Sequence, residues 1–116
     1  LEELLDRWRG PRLLRDVGTG DWPSEVTSTV YRVVQEALTN VSRHAPAAGS
    51  VSVRVAAEER CLTVEVTDDG PIAPTRYHRP GYGLVGMRER VESLGGSLAA
   101  GPRDGGGWTV RAELPR

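Results

Sequence analysis

The residue pattern of this chain predicts a two-layer α/β sandwich, a mixed sheet with its helices packed on one face. Three observations predict it. Apolar residues recur at helical spacing from Ser24 to His44, "VSVRV" and "LTVEV" alternate with period two a few residues apart, and a second helical stretch precedes two further strand-like runs.

The elements follow in order. In "LEELLDRW", Leu1, Leu4, Leu5 and Trp8 stand at helical spacing, giving a short amphipathic helix that Gly10-Pro11 ends. "RLLRDV" reads as a strand and "GTGDWP" as the turn after it. Asp21 or Ser24 caps the next helix; the sequence leaves both open. In that helix Val26, Val30, Val33, Val34, Ala37, Leu38 and Val41 fall within an arc of roughly 140° at about 100° per residue, and Pro46 stops it. "VSVRV" and "LTVEV" then form paired strands. The stretch "DDGPIAPTRYHRPGYG" has no periodicity and is a loop, long for so small a domain and of the kind that serves as a lid or binding segment. "LVGMRERVESLGG" is a helix opened by glycines and closed by Gly95-Gly96, its "RERVES" run forming the solvent face. "SLAA" and "WTVRAELP" are strands joined by the turn "GPRDGGG".

At 116 residues the chain fits one domain, able to bury a core without metals or disulfides. It is 38% hydrophobic and 27% charged, ordinary for a soluble globular domain. Fifteen basic against sixteen acidic residues give a net charge of −1, so no global field draws nucleic acid or anionic lipid. Cys61 is alone, which excludes an internal disulfide, and it reads as a small apolar residue at a strand start. No apolar run is long enough to cross a membrane.

The long helix carries an unusual edge. Glu36, Asn40 and Arg43 stand at i, i+4 and i+7, on one side and next to the apolar arc, while His44 falls nearer its middle. One polar residue there would be a structural hydrogen bonder; four suggest a cleft wall. A carboxylate can orient or polarise a hydroxyl, an amide oxygen suits Mg²⁺, and basic groups suit phosphates. Farther along, "VEVTDDG" ends a strand with Asp68, Asp69 and Gly70, putting a carboxylate at the mouth of the sheet. "GYGLVGM" then sets Gly81, Gly83 and Gly86 before a helix, where backbone N–H groups can approach an anion. That glycine run is weak evidence by itself, since turns use glycine for many reasons.

"QEALTNVSRHA", "DDG", "GYGLVGMRERVESLGGSL" and "GGGWTVRAELP" resemble, in the right order, the N box and glycine boxes of a histidine-kinase catalytic domain with the Bergerat ATP-binding fold. That superfamily also holds gyrase, MutL and the heat-shock chaperone ATPase. "YRVVQEALTN…RHA" with "GLVGMRERV" is most similar to the sensor kinases related to DesK and the nitrate sensors. The resemblance covers about Ser24 to Pro115.

The resemblance implies a single catalytic domain over residues 1–116 with an ATP lid at 70–83. Asn40 would coordinate the Mg²⁺ that bridges the ATP phosphates, and Glu36 would orient or polarise the attacking group. Arg43 and His44 would contact phosphate or ribose oxygens. Asp68 would accept from the adenine amine, with Gly70 leaving room for the base. Gly81, Gly83, Leu84, Gly86 and Met87 would form the closing edge of the lid and the phosphate-facing helix start. His44 belongs to this helix and is not the acceptor histidine, and His78 with Arg76 and Arg79 belongs to the lid. The implied partners are a histidine-bearing dimerisation domain of the same protein, dimeric in the intact kinase, and a response regulator, with no nucleic acid and no membrane contact by this domain. The implied setting is cytoplasmic, free or as part of a membrane-bound sensor. A serine kinase of the anti-sigma type and a degenerate docking module stand as alternatives. Two departures from the pattern are Ile72, where Asp-x-Gly-x-Gly has its second glycine, and Trp108, where the last box often has threonine. Trp108 either lies beneath the adenine pocket or completes the core.

Overall fold

The apolar arc of the long helix is what the rest of the chain folds against. In the computed structural model, which describes residues 1–45, 47–70 and 82–116, α2 runs Ser24–His44. Val26, Val30, Val33, Val34, Ala37, Leu38 and Val41 are all buried along it, as their spacing requires. Neither Asp21 nor Ser24 caps the helix. Pro23 takes the N-cap position with φ −51° and ψ 145°, and its carbonyl accepts the Thr27 N–H at 3.0 Å. Proline's fixed φ and missing donor suit it to the entrance of a helix, where no N–H partner is available in any case.

Around α2 the elements appear in the expected order. α1 (Glu2–Asp6) is shorter than its periodicity suggests and has only Leu5 fully buried. β1 (Arg12–Val17), β2 (Ser50–Ala57), β3 (Cys61–Asp68), β4 (Ser97–Pro102) and β5 (Trp108–Pro115) form one mixed sheet in the order β1-β2-β3-β5-β4. β1 and β2 are parallel, with α2 as their crossover, and the other neighbours are antiparallel. α3 (Tyr82–Ser93) packs beside α2 and over β4 and β5. It begins two residues before the expected start, so Gly83 lies inside the helix rather than ahead of it, with Gly86 in the next turn. Gly95 at φ +86° ends it, and the Gly96 N–H returns to the Val91 carbonyl at 2.9 Å.

Period two decides which strand residues reach the core. Val51, Val53 and Val55, Leu62, Val64 and Val66, and Val110, Ala112 and Leu114 are buried against the helices. The opposite face is polar. Asp16 pairs with Arg54 at 3.9 Å, Arg111 with Glu65 at 3.9 Å and with Glu113 at 3.0 Å, and the Thr67 and Thr109 hydroxyls meet at 3.2 Å. Exposed pairs of this kind add little stability but keep the bare face soluble. Arg15 ties α1 to β1 through Glu2 at 3.1 Å and Asp6 at 2.9 Å. Cys61 opens β3 with its thiol 3.8 Å from a Glu58 oxygen.

The Asp69 carboxylate links the end of β3 to the start of β2. It accepts the Ser50 N–H at 2.9 Å and the Ser50 hydroxyl at 3.0 Å. The Ser50 N–H, then its hydroxyl, hold the Asp69 carboxyl below its ordinary value.

Two outcomes are expected. Leu62, wholly buried in the sheet, should lose about 2–5 kcal/mol on Leu62→Ala in urea melts, whereas Leu14→Ala on the open face should stay within about 0.5 kcal/mol. Asp69→Asn should be less stable than the parent at neutral pH. Because the folded carboxyl titrates below its unfolded value of about 3.9, that gap should close as pH falls from about 4 through the folded value. A gap that stays constant between pH 7 and 3 would contradict the linkage.

Candidate functional site

The site grows from the inward row of β3. Leu62, Val64 and Val66 occupy that row and Asp68 is its last member, 1% exposed and in register with Val51 on β2 and Trp108 on β5. The strand period thus delivers a carboxylate to the core side of the sheet, at its edge. Asp68 Oδ1 accepts the Gly70 N–H at 3.0 Å, which fixes the carboxylate's orientation. A Cβ at Gly70 would lie 3.0 Å from the Ala45 Cβ, 3.2 Å from the Ala48 Cβ and 3.3 Å from Asp68 Oδ1. A side chain there would press on all three neighbours. Behind the strand end, Gly107 at φ +95° brings its backbone against the Asp68 carbonyl, where a Cβ would collide with the oxygen.

Ala45 directly follows α2, so these contacts seat the last turn of α2 on the last residues of β3. Asn40 lies in that part of the helix. It is 8% exposed, and its amide makes no hydrogen bond to a described residue. Its amide atoms keep some access to water, since among the described residues only the Trp22 indole nitrogen is sealed without a partner. Glu36, one turn earlier, is half-buried, with no ion pair to a described residue. His44 is half-buried and Arg43 exposed. The four residues of the polar edge therefore grade from sealed to open, with Asn40 deepest.

On α3, Leu84 is buried, Met87 is half-buried against the core and Gly86 is exposed with open space around it. Gly83 lies in the first turn of α3. Gly81, Ile72, Arg76, His78 and Arg79, and most of the expected lid at 70–83, fall outside the described residues. Trp108 is half-buried, packs against the core and stands beside Asp68 in register. That packing is the core-completing role expected of it.

Pattern reading passed over what four residues contribute. Ala45 and Ala48 shape the space around Gly70, Asp69 works as a brace on Ser50, and Arg90 reaches α2 instead of facing only solvent, its Nε donating to Thr29 Oγ1 at 3.1 Å. The doubled acid in "DDG" was a usable signal, since adjacent strand residues face opposite sides and only one can serve the core face.

The donor set bears on a cation. Among the described residues no three His, Cys, Asp or Glu side chains converge. Mg²⁺ is ordinarily held by one or two protein oxygens together with substrate phosphates and waters, so the Asn40 amide oxygen with Glu36 nearby fits such a site and not an all-protein cage.

Comparison with known proteins agrees with this geometry. Residues 25–116 match the family described as histidine kinase-, DNA gyrase B-, and HSP90-like ATPase. Among curated proteins the chain is 40% identical over 94 residues to the sensor histidine kinase YxjM of Bacillus subtilis, covering 81% of this chain and 22% of that protein. It is 39% identical over 85 residues to the signal transduction histidine-protein kinase/phosphatase UhpB of Salmonella typhimurium, covering 67% and 17%. The chain therefore spans about a fifth of the length of the curated relatives it matches. Among solved structures, the histidine kinase domain of a blue-light activated histidine kinase from Erythrobacter litoralis superposes with a TM-score of 0.77 at 28% identity, over 98% of this chain and 56% of that one. No helix among the described residues is long and apolar enough to cross a membrane. With its fold, its motif order and a family match over most of its length in agreement, the chain belongs to the histidine kinase-, DNA gyrase B-, and HSP90-like ATPases.

Proposed function

We propose that this chain is the ATP-binding catalytic domain of a sensor histidine kinase, which holds Mg-ATP and donates its γ-phosphoryl group to a histidine on a separate dimerisation domain. The observation that carries this reading is the meeting of α2 and β3 at Gly70, which sets Asn40 and Asp68 at one end of the same interior face. Adenine needs a fixed acceptor for its exocyclic amine, and Asp68, oriented by the Gly70 N–H, supplies one. A triphosphate needs its charge neutralised, for which Asn40 would hold the cation and Arg43 and His44 would face phosphate or ribose oxygens. The cation supplies charge neutralisation across the phosphates.

Phosphoryl transfer is mostly positioning, so the domain needs no strong nucleophile of its own. Glu36 orients or polarises the incoming imidazole from the edge of α2. Leu84, Gly86 and Met87 line the start of α3, with Gly83 in its first turn and Gly81 ahead of it. A response regulator would afterwards take the phosphoryl group onto an aspartate. The curated relatives, named as sensor kinases, support this assignment for the longer protein. A second reading, a docking module that keeps the fold without the nucleotide, draws on Ile72 in place of a glycine, since a β-branched residue does not readily take a left-handed backbone.

Calorimetry with ADP, with and without Mg²⁺, separates the two. Binding should be stronger with Mg²⁺, and Asn40→Ala should cost roughly 1.5–3 kcal/mol, about a tenfold to hundredfold loss, and abolish the Mg²⁺ dependence. No heat and no thermal shift with the unaltered chain would favour the docking module. Incubated alone with labelled ATP, the 116-residue chain should take up little label, because neither His44 nor His78 is read as an acceptor. Strong labelling would contradict the assignment.

A further inference from the structure

α2 and α3 run antiparallel, as their ends show. The close of α2 lies on Gly70, at the Asp68 end of β3. The close of α3 lies at the opposite end of the sheet, where Gly95 abuts Pro115, the register partner of Cys61, and Gly96 abuts the Glu113 carbonyl. The first turn of α3 therefore points toward the Asn40 end of α2.

The apolar footing of α3 is slim: Leu84 and Val91 are buried, and Met87 and Leu94 pack against the core. These four stand three, four and three residues apart. A stripe of that spacing repeats along its own length, so apolar contact by itself defines the axial register of two helices poorly; directional polar contacts are what fix it. One such contact crosses this interface. Arg90 Nε donates to Thr29 Oγ1 at 3.1 Å, and Thr29 Oγ1 donates to the Glu25 carbonyl at 2.8 Å. Thr29 is wholly buried. Its single hydroxyl proton goes to Glu25, so a lone pair is left facing Arg90, and the chain of donors runs one way. Sliding α3 by one turn, about 5.4 Å, would break it and strand that lone pair.

We infer that the Arg90–Thr29 contact is the register pin of the nucleotide site, with Arg90 a positioning residue that sets where the first turn of α3 lies relative to Asn40. The pin lies eight residues from Tyr82 along α3 and eleven from Asn40 along α2, about 12 and 16 Å at helical rise, so both stretches lead from it toward one end. The inference rests on the nucleotide-site reading, and its test is arranged so that the two can fail separately.

Thr29→Val keeps the side-chain volume, removes the acceptor and lets the exposed Arg90 guanidinium return to water. The Glu25 carbonyl retains its helical N–H donor. The melting temperature should therefore move by no more than about 4 °C, as for one ordinary hydrogen bond. ADP with Mg²⁺ should bind about fivefold or more weakly, the lower range of coupling between separated sites. Amide exchange in the first turns of α3 should quicken about tenfold, with β3 and β5 unchanged. Thr29→Ser restores the hydroxyl and should restore affinity and exchange together. Unaltered exchange in Thr29→Val overturns the pin whatever the nucleotide does, and quickened exchange with unaltered ADP affinity overturns its link to the site. Should the unaltered chain take up no ADP, the nucleotide reading fails and exchange alone decides the pin.

Discussion

Everything in this molecule leans on the packing of α2 against the inward row of β3. Alternate residues of a strand share a face, so the strand that gives Leu62, Val64 and Val66 to the core must also turn residue 68 inward. At that place the strand meets the close of α2, where Ala45 and Ala48 lie around Gly70. Hydrophobic burial thus delivers a carboxylate to the end of the core, and the Gly70 N–H orients it. The helix does the complementary thing. Its stripe of valines fixes its rotation, and that rotation leaves Asn40 facing inward next to them.

The polar edge of α2 has a consistent physical account on this basis. Asn40 is buried as a residue and makes no hydrogen bond to a described residue, yet its amide atoms are not sealed from water. Family membership makes a nucleotide the natural ligand for such an edge. Whatever binds only the folded chain also stabilises it. The outer sheet face shows the contrasting solution, in which Asp16, Arg54, Glu65, Arg111 and Glu113 neutralise one another at the surface and need no ligand.

Periodicity made the layers legible. The valines of α2 and the alternation in "VSVRV" and "LTVEV" are local signals, and burial followed them residue for residue. The motif order put the candidate residues on the later turns of α2, the close of β3 and the start of α3, where those elements hold them. What escaped was contact between distant residues. Asp69 meets Ser50 nineteen positions away and Arg90 meets Thr29 sixty-one positions away, and no local pattern encodes either. At the start of α2, two good side-chain caps invited a choice that Pro23 made unnecessary. Gly83, expected ahead of the helix, joined α3, where tertiary packing outweighs glycine's poor propensity.

Cys61 has a practical consequence of a different kind. It opens the strand that Asp68 closes, seven residues away along an extended backbone, or about 24 Å. As the sole cysteine of the chain, with a half-buried side chain, it offers one thiol for attaching a fluorophore or spin probe remote from the Asp68 rim. Tumbling and distance changes can therefore be followed in the native sequence, with no residue replaced beforehand.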